Sequence, residues 1–101
     1  MTHQEFLTVK TSSTPRMITF LTEGKYQIFI SPDNVNKVYF WHKDNIAVGK
    51  RIELVDMDFI VRKEELPKTL WVYSSTNEIF FIHKINAFNN NDIRMEINKQ
   101  N

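Results

Sequence analysis

Apolar and polar residues alternate with period two along most of this chain, and helical spacing is nearly absent. Glu5 to Lys10 reads as a first strand, closed by a Thr-Ser-Ser-Thr-Pro break at residues 11–15. Arg16 to Thr22 is a second, with Ile18 and Phe20 facing one way and Met17 and Leu21 the other. Glu23-Gly24 predicts a two-residue hairpin turn into Lys25 to Ile30, since glycine supplies the positive φ that tight turns need. Ser31-Pro32-Asp33-Asn34 is a turn because proline fixes φ while Asp and Asn cap their own backbone. Lys37 to Lys43 follows as the fourth strand.

From Arg51 to Arg62 the chain is extended, but its inward phase slips by one near Leu54-Val55. A bulge or bend there resets the faces, as where one strand turns a corner between sheets. Lys63 to Pro67 is a polar connector with room for one helical turn. Thr69 to Ser74 and Glu78 to Ile85 predict a second hairpin across Ser75-Thr76-Asn77. The Asn-rich stretch 86–92 precedes a last strand, with Ile93, Met95 and Ile97 on one face. The expectation is one all-β domain over residues 1–101, a small barrel or two-sheet sandwich of seven or eight mostly antiparallel strands.

The segment Lys37-Val38-Tyr39-Phe40-Trp41-His42-Lys43 returns, reworded, as Glu78-Ile79-Phe80-Phe81-Ile82-His83-Lys84. Aligning the copies puts Val38, Phe40 and His42 with Ile79, Phe81 and His83 on one face. Tyr39, Trp41 and Lys43 then match Phe80, Ile82 and Lys84 on the other, and the preceding strands add Phe29 in the first hairpin and Trp71 and Tyr73 in the second. Both faces are apolar, whereas a sheet wetted on one side alternates apolar with polar. Either these strands are covered on both sides, or one aromatic face docks a partner. The docking reading assigns Tyr39, Trp41, Lys43, Trp71, Tyr73, Phe80 and Lys84 to a partner-binding surface. Its partner is a protein, either a second copy, since twofold dimers are the commonest oligomers, or a host protein.

Composition narrows the chemistry. With no cysteine, thiol nucleophiles, disulfides and thiolate metal sites are excluded. Thirteen basic against twelve acidic residues give a formal charge of +1, without the basic excess of a duplex-DNA binder. Two glycines leave no phosphate-binding loop. No apolar run approaches the roughly 18 residues of a membrane span, and the first residues lack the pattern of a secretory signal. The expectation is a cytoplasmic protein with no membrane contact. Eleven isoleucines against five leucines, with ten asparagines, partly express β preference. The remainder of the bias suits an AT-rich coding sequence, as in a phage or mobile-element accessory protein.

Three chemical readings compete with protein docking. Aromatics interleaved with lysines on a sheet suit stacking of single-stranded nucleic acid, which makes Tyr39, Trp41, Lys43, Trp71, Tyr73 and Lys84 a candidate platform. His42 and His83 suggest an acid–base pair acting on a phosphodiester, but the Ser or Thr found two residues after each histidine in two-histidine phosphoesterases is replaced by Asp44 and Ile85. The plainer reading makes both histidines strand ends bonded to backbone. Asp56 and Asp58 flank Met57 and suit a hard cation, yet two carboxylates without a third ligand read as a solvated strand face. No cofactor, metal or catalytic group is assigned.

Overall fold

The computed structural model describes residues 6–42, 51–85 and 92–97. Nine strands among them are β1 (Phe6–Lys10), β2 (Arg16–Phe20), β3 (Gly24–Ile30), β4 (Tyr39–His42), β5 (Ile52–Glu53), β6 (Met57–Val61), β7 (Lys68–Tyr73), β8 (Ile79–Lys84) and β9 (Ile93–Ile97). They form a four-stranded sheet in the order β1-β8-β3-β6 and a five-stranded sheet in the order β5-β4-β7-β2-β9. Every pairing is antiparallel. The fold is all-β, as the alternation predicts, and of the expected barrel or sandwich it is built as two sheets, with nine strands among the described residues against the seven or eight expected.

The core lies between the sheets. Val9, Tyr26, Ile28, Val61, Phe80 and Ile82 come from the four-stranded sheet, and Ile18, Phe20, Phe40, Leu70, Val72 and Ile93 from the five-stranded one. Phe20 joins the two layers, its ring centroid 4.8 Å from that of Tyr26 and 5.1 Å from that of Phe59. Each such large apolar side chain, fully enclosed, contributes roughly 1.5–3 kcal/mol relative to exposure.

The long extended segment turns the expected corner. Ile52 and Glu53 pair with β4 in one sheet, and Met57 to Val61 pair with β3 in the other. Between them Leu54 is buried while Val55 is half exposed, so the phase slip is the crossing point. Asp56 holds the corner by accepting the Ile30 N–H at 2.7 Å. The polar connector forms one 3-10 turn, Lys63–Glu65, in which the Glu65 carboxylate accepts the Arg62 N–H at 2.9 Å.

The expected hairpins are corrected. β2 and β3 lie in different sheets, as do β3 and β4, and β7 and β8. Among the described residues, β4 and β5 are the only consecutive strands paired with each other. The turn sequences were polar, as hairpin turns are, but the connections cross the sandwich edge instead. At one crossing Asn34 bonds Ile79 through both ends of its amide, donating from Nδ2 to the carbonyl at 2.8 Å and accepting the N–H at 2.9 Å. A side chain there extends the ladder where backbone has left the sheet.

Candidate functional site

The repeat places its two copies in opposite sheets and in opposite phase. Phe40 points into the core at 7 % exposure, whereas its counterpart Phe81 lies on the outer side of the four-stranded sheet, and Phe80 is the inward residue at 1 %. His83 therefore faces outward, with Phe6 and Gln27 as its cross-strand partners, while His42 pairs with Leu70 in the other sheet. This placement removes the premise of a shared two-histidine site.

Four of the residues assigned to partner binding do come together, on the outer face of the five-stranded sheet. Tyr39 stands directly opposite Tyr73, and Trp41 directly opposite Trp71. The Arg51 guanidinium lies 5.6 Å from the Tyr39 ring centroid and 5.2 Å from that of Tyr73, a cation–π contact with both. Tyr39, Trp71 and Tyr73 are half-buried, but Trp41 is only 6 % exposed. Both indole N–H groups are sealed from solvent and have no acceptor among the described residues. The cluster is thus mostly closed over.

Two of the other three do not join it. Phe80 is enclosed in the core, because its strand turns that side toward the opposite sheet. Lys84 also turns inward: its Nζ donates to Thr22 Oγ1 at 3.0 Å and lies 3.6 Å from Asp92 Oδ1. Thr22 in turn donates to Asp92 at 2.8 Å, and the Tyr26 hydroxyl donates to the Thr22 carbonyl at 2.9 Å. Burial raises the Tyr26 phenol above its usual pKa, with the Thr22 hydroxyl opposing and the Asp92 charge adding to the shift. Lys84, assigned to the docking surface, is instead a largely buried strut. Lys43 lies outside the described residues.

Sequence reasoning missed the more open surface. On the outer side of the four-stranded sheet, Thr8, Phe81 and Phe29 form one cross-strand row, and Phe6, His83, Gln27 and Asp58 form the next. The Phe6 and Phe81 rings meet edge to face with centroids 5.5 Å apart. Phe6 is 45 % and Phe29 43 % exposed, and Ile60 extends the apolar surface at 60 %. These rings, with Gln27 and His83 between them, line a depression of about 430 Å³. A signal existed: Phe6 and Phe29 break the polar phases Phe6-Thr8-Lys10 and Lys25-Gln27-Phe29.

Asp56 and Asp58 have separate structural tasks. Asp56 accepts the Ile30 N–H, and Asp58 pairs with Lys25 at 3.3 Å. Among the described residues no three His, Asp or Glu side chains converge as a metal cluster. Glu78 is enclosed at the edge of the sandwich, where its carboxylate accepts the Val35 N–H at 3.2 Å, the Asn36 N–H at 3.0 Å and the Thr76 hydroxyl. The Thr76 hydroxyl, followed by those amides, holds its pKa below the usual glutamate range against the desolvation that raises it. It clamps the 31–36 loop and is fully occupied in doing so. Comparison with protein-family models, curated proteins and solved structures returns no match for this chain.

Proposed function

We propose that this chain is a non-catalytic protein-interaction module that docks through the outer face of its four-stranded sheet. One observation carries the reading: Phe6, Phe29 and Phe81 crowd the side of a sheet that has no second layer over it among the described residues, although the other side already supplies the core. Contiguous apolar surface of this kind is costly to leave in water and typically marks an interface. The partner is a protein, a second copy or a host protein, and the small size and AT-rich bias suit a phage or mobile-element accessory factor. Single-strand binding is less well supported, since Trp41 is enclosed, Lys84 is turned inward and Arg51 is engaged on two tyrosine rings.

The test is a photo-crosslinking phenylalanine analogue placed at position 29, with the same analogue at position 53 as control. Position 29 yields covalent protein adducts in the cell of origin, and position 53, on the opposite sheet, does not. Equal yields from both positions, or none from 29, would refute the reading.

A further inference from the structure

We infer that the occupant of this face is a second copy of the chain, packed sheet to sheet about a twofold axis. The inference rests on the docking reading above and names its partner. A twofold contact requires a surface complementary to itself. Here the projecting Phe29 borders the depression of about 430 Å³ that Phe6, Phe81 and His83 also line. About 150 Å³ suffices to enclose a benzene ring, so the hollow of one protomer accommodates a ring from the other. Knob and hole belong to one surface.

Charge supports the same occupant. Among the described residues the charges on this face are Lys10 and the paired Lys25 and Asp58, with the Asp56 carboxylate just before β6 accepting the Ile30 N–H, so that positive and negative charges balance. A neutral face does not repel its own copy and offers nothing to select a strongly charged partner. The chain's formal charge of +1 likewise opposes association only weakly.

Area sets the strength. Four strands about 4.8 Å apart, with about 3.4 Å per residue along them, make a face roughly 20 Å on each side. Two such faces bury on the order of 1,000 Å², at the small end for specific contacts. The dimer is therefore reversible, with dissociation in the micromolar range rather than an obligate assembly. His83 and Gln27 lie among the rings, so the contact is apolar with a polar centre.

Sedimentation equilibrium across about 1–500 μM tests this directly. The weight-average mass of the wild-type chain rises from 12.1 kDa toward twice that value, and Phe29→Lys remains monomeric at every concentration. Phe29 is exposed, so the variant retains the wild-type circular dichroism. Phe29→Ser is a milder second variant that weakens association at least tenfold. A wild-type chain that is monomeric throughout overturns self-pairing, as does a dimer unaffected by both substitutions. If the wild type is monomeric while the analogue at position 29 captures a different protein, self-pairing fails and the docking reading stands. If it is monomeric and nothing is captured, both fail.

Discussion

Gly24 and Lys84 compete for the same space: a Cβ on Gly24 would stand 2.6 Å from Lys84 Cε. A lysine tip ordinarily moves aside, but this one is held by Thr22 and by the Asp92 carboxylate. Gly24 also sits at φ +150°, a conformation that side chains rarely adopt. Gly24→Ala is therefore expected to cost about 1–3 kcal/mol, read from urea unfolding. In a double-mutant cycle with Lys84→Ala the two costs are not additive, because the second substitution removes the clash that the first creates.

The Lys84–Asp92 pair is buried on both sides, with 16 % and 4 % of the side chains exposed. Lys84→Met removes the cation beside the enclosed Asp92 carboxylate, at a cost of about 3–5 kcal/mol. Adding Asp92→Asn recovers a large part of this, since the enclosed carboxylate charge is gone. The same network predicts an alkaline limit. Tyr26 has its pKa raised in the fold, so its contribution is complete below the unfolded tyrosine value and is lost as pH rises through the higher folded one. Tyr26→Phe flattens that alkaline arm of the stability–pH curve while losing the bond to the Thr22 carbonyl, worth about 1 kcal/mol.

Alternation made the strands legible, and even the corner at Leu54-Val55, because period two reports directly on which side of a strand is wet. Pairing was not legible. A polar turn with Gly24 resembles a hairpin turn, yet here the glycine makes room for Lys84 and the chain crosses to the other sheet. The repeated segment misled for a related reason. When both phases of a strand are apolar, the sequence does not say which one turns inward, and a shift of one residue exchanges them. Hence Phe40 and Phe80 are core residues although the alignment sets them on opposite faces, and Phe81 is left outside.

This topology has a kinetic consequence. Every connection but β4–β5 passes between the sheets, so nearly all strand pairing is distant in sequence. Loop closure precedes the contacts that reward it, and folding is expected in milliseconds to seconds rather than microseconds. Stopped-flow tryptophan fluorescence after urea dilution measures it. A microsecond phase carrying the full amplitude would contradict the inference.

Trp71 combines a half-buried indole with an N–H that has neither solvent nor, among the described residues, an acceptor. A stranded donor costs about 1–3 kcal/mol. Trp71→Phe removes that penalty while losing some ring area, so the net change in stability is expected to stay within about 1 kcal/mol, against about 3–5 kcal/mol for a buried Trp→Ala truncation. The same tryptophan checks the nucleic-acid alternative. Single-stranded oligonucleotides at low salt are expected to leave its fluorescence unchanged; strong, salt-sensitive quenching would favour that reading over protein docking.

Glu78 gives the acid limit. Its carboxylate joins the Val35 and Asn36 amides to the Thr76 hydroxyl, and these bonds favour the charged form, with the hydroxyl foremost. For a carboxyl with a depressed folded pKa, the stabilisation is present above the unfolded glutamate value and disappears as pH falls through the lower folded one. Protonation releases the two amides, so the 31–36 loop loosens before the sandwich opens. Hydrogen exchange should show Val35 and Asn36 losing protection on acidification, beyond the intrinsic pH dependence, while Ile28 and Ile82 in the core retain theirs. Glu78→Gln produces the same loosening at neutral pH, because a neutral amide accepts these bonds more weakly than a carboxylate. Unchanged exchange at Val35 and Asn36 in that variant would show that the loop is held by the Asn34–Ile79 bonds alone.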